Sequence, residues 1–251
     1  MGIVNITPDS FWSESRGSVE RAMKLIEEGA DILDLGAEST RPGYVEVDAE
    51  EEIKRILPVI RQIRKESDIP LSIDTRKSIV MKSMYNEGAD ILNDVSALED
   101  DKAMASVVAK IKIPVILMHR FLQDEKERKP ESDIVGVVSK YLFNRIKYAL
   151  DNGIEKEKII IDSGIGFGKT NEENIELIKC GNKICNEEYP VLMALSRKRV
   201  IGYMTDKTVE DRLYGTLAAD MIAVQNGAFM IRVHDVTPAI DTLNVMRYIT
   251  K

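Results

Sequence analysis

Along the 251-residue chain, polar side chains stand at the ends of short apolar runs: Asn5, Glu38, Thr40, Arg41, Asp74, Asn93, Asp94, His119, Asp162, Ser196, Lys198, Arg232 and His234. The carboxylates and amide oxygens in this set accept hydrogen bonds, while the lysine, the arginines and the histidines supply donors and positive charge. A single aspartate after a strand is ordinarily a turn former or a helix cap. A chemically complementary set, repeated at one structural position and including the only two histidines of the chain, indicates a shared site.

The elements that must position these groups follow a recurring phrase. Glu28-Gly29-Ala30-Asp31-Ile32-Leu33-Asp34-Leu35 is answered by Glu87-Gly88-Ala89-Asp90-Ile91-Leu92-Asn93-Asp94-Val95, and more loosely by Asn226-Gly227-Ala228-Phe229-Met230-Ile231-Arg232-Val233. In each copy a helical pattern ends, glycine takes the left-handed position that closes it, and an apolar strand follows. Strands are expected at Gly2–Ile6, Asp31–Leu35, Leu71–Asp74, Ile91–Asp94, Val115–Met118, Ile159–Asp162, Val191–Ala194 and Phe229–Val233. Helices are expected over Val19–Glu28 with Ser18 as its cap, within Asp48–Glu66, and over Lys77–Glu87, Lys102–Lys110, Ile134–Asn152, Glu172–Asn186, Lys198–Met204, Val209–Asn226 and Thr237–Thr250. About eight strand–helix units close a parallel sheet into a (β/α)8 barrel, here a single α/β domain over residues 1–251. An open doubly wound sheet fits less well, since no dinucleotide fingerprint follows the first strand and polar groups end nearly every strand. In a barrel those ends converge on one face.

Composition narrows the partners. With 44% hydrophobic residues the chain can build a large core. A net charge of −7 argues against general binding to nucleic acid or to an anionic membrane surface. Cys180 and Cys185 share one predicted helix without metal-ligand spacing, which reads as buried, reduced thiols and a cytoplasmic setting. No apolar run approaches the roughly 18 residues of a membrane span.

The opening Met1-Gly2-Ile3-Val4-Asn5-Ile6-Thr7-Pro8-Asp9-Ser10-Phe11 and the loop Glu38-Ser39-Thr40-Arg41-Pro42-Gly43 resemble the two signatures of the dihydropteroate synthase family, a (β/α)8 barrel family. Ile73-Asp74-Thr75, Leu92-Asn93-Asp94-Val95, Leu117-Met118-His119, Gly164-Ile165-Gly166-Phe167-Gly168-Lys169, Leu195-Ser196-Arg197-Lys198-Arg199 and Ile231-Arg232-Val233-His234-Asp235-Val236 extend the resemblance in order over nearly the whole chain. It implies an enzyme that joins 6-hydroxymethyl-7,8-dihydropterin diphosphate to p-aminobenzoate, expelling diphosphate. A pterin edge alternates amino, ring N–H and carbonyl groups, so its pocket needs both acceptors and a donor. By the resemblance Asp74, Asn93, Asp162 and Lys198 bind the pterin, with Arg232 against its ring. The resemblance further implies that Asn5 contacts Mg2+ and that Arg41, Arg232 and His234 hold the diphosphate. Thr40, Arg41, Pro42, Phe167, Ser196 and Lys198 shape the aminobenzoate pocket. Asp74, Arg232 and Lys198 are the expected catalytic groups. The resemblance also implies a homodimer through late barrel helices, for which Leu213, Leu217, Met221 and Val224 form a candidate stripe.

Rival readings are specific. Lys198 could be the Schiff-base lysine of an aldolase, but it lies beyond a strand in an Arg-Lys-Arg run rather than inside one. Gly164–Lys169 is a weak phosphate-loop signal that lacks the Gly-Lys-Ser/Thr ending. A methyltetrahydrofolate:corrinoid methyltransferase would have no use for the diphosphate set Asn5, Arg41 and His234, and an inactive pterin-binding barrel would be expected to have lost some of it. Ser163, where the family usually has Pro, and Arg120-Phe121 after His119 depart from the family pattern in loops.

Overall fold

Alternation of side chains on eight short strands, all but the first reached from a preceding helix, organises the molecule. The computed structural model describes residues 1–6, 15–38, 47–123 and 126–250, with the side chains of 15–17 outside that set. In chain order the elements are β1 (Gly2–Asn5), α1 (Ser15–Glu27), β2 (Leu33–Gly36), α2 (Ala49–Glu66), β3 (Leu71–Asp74), α3 (Ser78–Asn86), β4 (Ile91–Asp94), α4 (Met104–Ile111), β5 (Val115–Met118), α5 (Ile134–Asp151), β6 (Ile159–Asp162), α6 (Asn171–Cys180), β7 (Val191–Met193), α7 (Arg199–Thr205), α8 (Leu213–Gln225), β8 (Met230–Ile231) and α9 (Val236–Ile249). The strands lie parallel in the order β1 to β8. The sheet closes on itself through a parallel bridge between Gly2 and Val233, with Ile3 N–H donating to the Val233 carbonyl at 3.0 Å. This is the expected (β/α)8 barrel.

The recurring phrase behaves as its residue types require. Gly29, Gly88 and Gly227 have φ of 93°, 100° and 90°, a conformation open to glycine because it has no Cβ. After each one, the next residue's N–H reaches back to a carbonyl in the last helical turn: Ala30 to Leu25, Ala89 to Met84 and Ala228 to Ala223, at 2.9–3.0 Å. The helix ends are thus satisfied and the chain is turned directly into the next strand.

Burial divides the apolar residues into two cores. Leu33, Leu35, Leu71, Ile73, Leu92 and Leu117 point outward against the helices. Met1, Ile91, Ile116, Leu192 and Ala194 pack inside the barrel with Ile32, Ile160 and Met230. Register places Asp74 beside Asn93, Asn93 beside Ile116, and Asp162 beside Leu192 and Met118, so these polar residues share the inner face. The barrel is filled by hydrocarbon at one end and carries polar groups at the C-terminal end of its strands.

Several boundaries differ from expectation. Helix α1 begins at Ser15, so Ser18 lies within it and is not its cap. The stretch expected as one helix over Glu172–Asn186 ends as α-helix at Cys180; a tighter 3-10 segment, Gly181–Glu187, follows, with left-handed φ at Cys185 and Asn186. Cys180 and Cys185 therefore occupy different elements, both buried and free. The Val209–Asn226 stretch likewise divides into a 3-10 turn and α8.

Candidate active site

The inner mouth of the barrel is organised by one guanidinium. Arg232, just after β8, donates from Nε to Asp34 Oδ2 at 2.6 Å and from Nη2 to Asp74 Oδ2 at 3.2 Å. Asn93 Nδ2 donates to the same Asp34 oxygen at 3.1 Å. Burial opposes the Arg232 charge, but Asp34 and Asp74 outweigh it and raise its pKa. Asp74 behaves oppositely: burial and then repulsion from Asp34 push its pKa up to about 7, with Arg232 pulling it back. The result is a preorganised cluster in which charge is balanced only while the arginine stays in place.

Asp34 is absent from the set of polar strand-end residues, although the recurring phrase marks its position. In the three copies of the recurring phrase the seventh residue is Asp34, Asn93 and Arg232. The fold brings these three together through Asp34 Oδ2. Equal spacing from the closing glycine sets equal position along the strand, and equal parity points each side chain inward.

The second half of the mouth is built from β6 and β7. Asp162 accepts from Gly164 N–H at 2.7 Å, and burial raises its pKa against the attraction of Lys198. Lys198, at the N-cap position of α7, donates to the Ile165 carbonyl at 2.5 Å, and its ammonium lies 5.1 Å from the centre of the Phe167 ring. Burial lowers its pKa to about 8, with Asp162 opposing. Ser196 Oγ accepts from His234 N–H at 3.1 Å and lies 2.9 Å from His234 Nδ1. Burial, then the Arg232 charge, lower the His234 pKa to about 4, so this imidazole is neutral at pH 7 without an anion beside it. Arg21 donates to the His234 carbonyl. Asn5 is exposed at the end of β1.

Other expected members of the face are placed elsewhere. Asp94 is fully buried and points away from the barrel interior, accepting from Ser96 N–H at 2.8 Å, Ser96 Oγ at 2.6 Å and Leu98 N–H at 2.9 Å; the turn-forming reading is the correct one. Glu38 is held by Arg76 and Lys77 at 2.7 and 2.6 Å. His119 is buried edge-on between Phe121 and Tyr141, and burial lowers its pKa to about 3, so it packs as a neutral ring. Thr40, Arg41 and Pro42 lie outside the described residues.

Taken together, the mouth offers carboxylate acceptors at Asp74 and Asp162, an amide at Asn93, an ammonium at Lys198 and a flat guanidinium at Arg232. That set matches the hydrogen-bonding edge of a planar amino-oxo heterocycle and leaves positive charge beside it. A family model described as pterin binding enzyme matches residues 1–234. The dihydropteroate synthase of Haemophilus influenzae is 41% identical over 252 residues, covering 98% of this chain and 91% of that protein. That of Clostridium beijerinckii is 42% identical over 242 residues, covering 94% and 88%. Among solved structures, Xanthomonas albilineans dihydropteroate synthase with 4-aminobenzoic acid superposes with a TM-score of 0.94 at 41% identity, over 100% of this chain and 92% of that one. The same enzyme in complex with 7,8-dihydropteroate gives a TM-score of 0.90 at 38% identity, with 100% and 92% covered. The chain belongs to the pterin-binding (β/α)8 barrel family and, within it, to the dihydropteroate synthases.

Proposed function

We propose that the barrel mouth condenses 6-hydroxymethyl-7,8-dihydropterin diphosphate with p-aminobenzoate, and that the diphosphate departs before the amine attacks. The observation that carries this reading is an Arg232 fixed by Asp34 and Asp74, with Asn93 on the same Asp34 oxygen and the charges of Asp162 and Lys198 close enough to act on it. The pterin edge meets the acceptors and the Lys198 ammonium, and Arg232 lies between ring and leaving group. The solved relatives with 4-aminobenzoic acid and with 7,8-dihydropteroate support the same pair of substrates.

In the first step the bond from the pterin methylene to the bridging oxygen breaks and diphosphate takes the electron pair. The dihydropterin ring spreads the positive charge left behind, and the anionic form of Asp74 stabilises it. Arg232, with His234 and Arg41 as further expected donors, offsets the charge on the departing group. The arylamine lone pair then forms the carbon–nitrogen bond and the nitrogen releases a proton to solvent or diphosphate, so no positioned general base is required. The aminobenzoate is expected among Thr40, Arg41, Pro42, Phe167, Ser196 and Lys198.

Among the described residues no three His, Cys, Asp or Glu side chains gather as a metal cage. An exposed neutral oxygen at Asn5 fits a Mg2+ whose other ligands are diphosphate and water. When bound, that ion would supply further neutralisation of the leaving group. We further propose a homodimer. Leu217 and Val224 of the expected stripe pack partly buried against the core, and the exposed apolar face of α8 lies beside them at Tyr214 (82% exposed) and Ile222 (44%). Tyr248 and Ile249 on the adjoining α9 are exposed as well. No helix among the described residues is long and apolar enough to cross a membrane; a cytoplasmic location accords with the two free, buried cysteines.

The mechanism is tested by incubating enzyme, Mg2+ and pterin diphosphate without p-aminobenzoate. Departure before attack predicts positional oxygen exchange between bridging and non-bridging diphosphate oxygens. Absence of exchange while the full reaction proceeds, with a rate that rises steeply with amine basicity, would establish direct displacement instead.

A further inference from the structure

Lys169 ends the glycine-rich run that resembled a phosphate loop, and none of the steps above uses it. Its side chain is completely buried. The ammonium donates to three main-chain carbonyls, Gly164 at 2.7 Å, His119 at 3.2 Å and Phe167 at 3.4 Å. A phosphate cannot be the partner of a group enclosed in this way. Burial pushes its pKa down to about 7 against the attraction of Asp162.

Those three carbonyls belong to two loops. His119 follows β5, whereas Gly164 and Phe167 lie in the turn after β6. Gly164, Gly166 and Gly168 in that turn have φ of 67°, 91° and 68°, a conformation in which any side chain would be strained. A Cβ at Gly164 would stand 1.8 Å from the His119 carbonyl oxygen, which shows how closely the two loops are drawn together. Phe121, in the segment that departs from the family pattern, completes the enclosure: its ring lies 5.5 Å from the ammonium and 3.8 Å from the Arg128 guanidinium carbon, and its N–H donates to the Phe167 carbonyl at 3.3 Å.

Two parts of the mouth hang from this turn. Gly164 N–H holds the Asp162 carboxylate, and Phe167 presents its ring beneath Lys198. We propose that Lys169 is a positioning residue whose ammonium staples the β6–α6 turn to the end of β5 and thereby sets Phe167 against the aminobenzoate and Gly164 N–H against Asp162. This assignment deepens the synthase reading and rests on it. It also explains a buried cation that an apolar side chain would replace at lower desolvation cost, since hydrocarbon cannot collect three carbonyls.

The test compares the full chain with Lys169→Met and Lys169→Gln, using thermal unfolding, steady-state kinetics, and amide exchange of the peptide spanning residues 163–170. Losing the three bonds in Lys169→Met should raise the KM for p-aminobenzoate about tenfold while kcat changes less than about threefold. Exchange should quicken in 163–170 and stay unchanged in a control peptide from α2. Lys169→Gln keeps two N–H donors and should recover KM to within about threefold of the parent. An unchanged KM in Lys169→Met, equal losses in KM and kcat with faster exchange throughout, or a Gln variant no better than Met would overturn the assignment. So would failure of both variants to unfold cooperatively, which would make Lys169 a determinant of folding. If the parent chain forms no dihydropteroate, the synthase reading fails, whereas exchange in 163–170 still reports on the staple.

Discussion

Replacing Asp74 by Asn should stabilise the ligand-free protein at neutral and alkaline pH while removing its activity. In the unfolded chain this carboxyl titrates near its ordinary value of 3.8; in the folded protein burial and Asp34 push it up to about 7. Between those values the folded state binds the extra proton, so the contribution to stability falls as pH rises from about 4 to about 7 and levels off above. Three units at about 1.36 kcal/mol each set a ceiling near 4 kcal/mol for the cost of the ionised group at pH 8. The side chain remains 13% exposed, which lowers that figure. Asparagine also weakens the 3.2 Å bond to Arg232, a loss of about 1 kcal/mol. The expected net gain is therefore about 1–3 kcal/mol at pH 8, turning into a small loss near pH 4.5. Urea unfolding at the two pH values measures it, and turnover with both substrates should fall at least about 100-fold as the charge that stabilises the cationic pterin disappears. A variant less stable than its parent at pH 8, or a difference that does not change with pH, would refute the reasoning.

Asp162→Asn should weaken pterin binding about tenfold or more, because a hydrogen bond to a charged oxygen contributes roughly 1.5–3 kcal/mol; unchanged affinity by calorimetry removes Asp162 from the pocket. Gly164→Ala should cost at least about 3 kcal/mol of stability through backbone strain and the clash with the His119 carbonyl. Denaturant unfolding within about 1 kcal/mol of the parent would mean that the two loops are free to separate. At micromolar concentration the chain should sediment as a dimer and Tyr214→Glu as a monomer, and a monomeric parent would refute the proposed association.

How far the amino-acid order carries is clearest in the recurring phrase. Its closing glycines, apolar strand positions and turn residues act over a few residues, so strands β3 to β6 could be located to the residue and the barrel inferred from their number. The motifs also marked Asp74, Asn93, Asp162, Lys198 and Arg232, all of which line the mouth. What a polar residue does there was not decided locally. Asp94 adjoins Asn93 in the chain, yet opposite parity turns it out of the barrel to cap a turn. His119 ends a strand like the binding residues but packs between two aromatic rings, and Lys169 ends a phosphate-loop-like run but is enclosed by carbonyls. Asp34 gains its importance from Arg232, 198 residues away. Local propensity sets where strands begin and end, but the partner of an inward side chain comes from whichever strands closure makes its neighbours, and closure exists only in the tertiary structure.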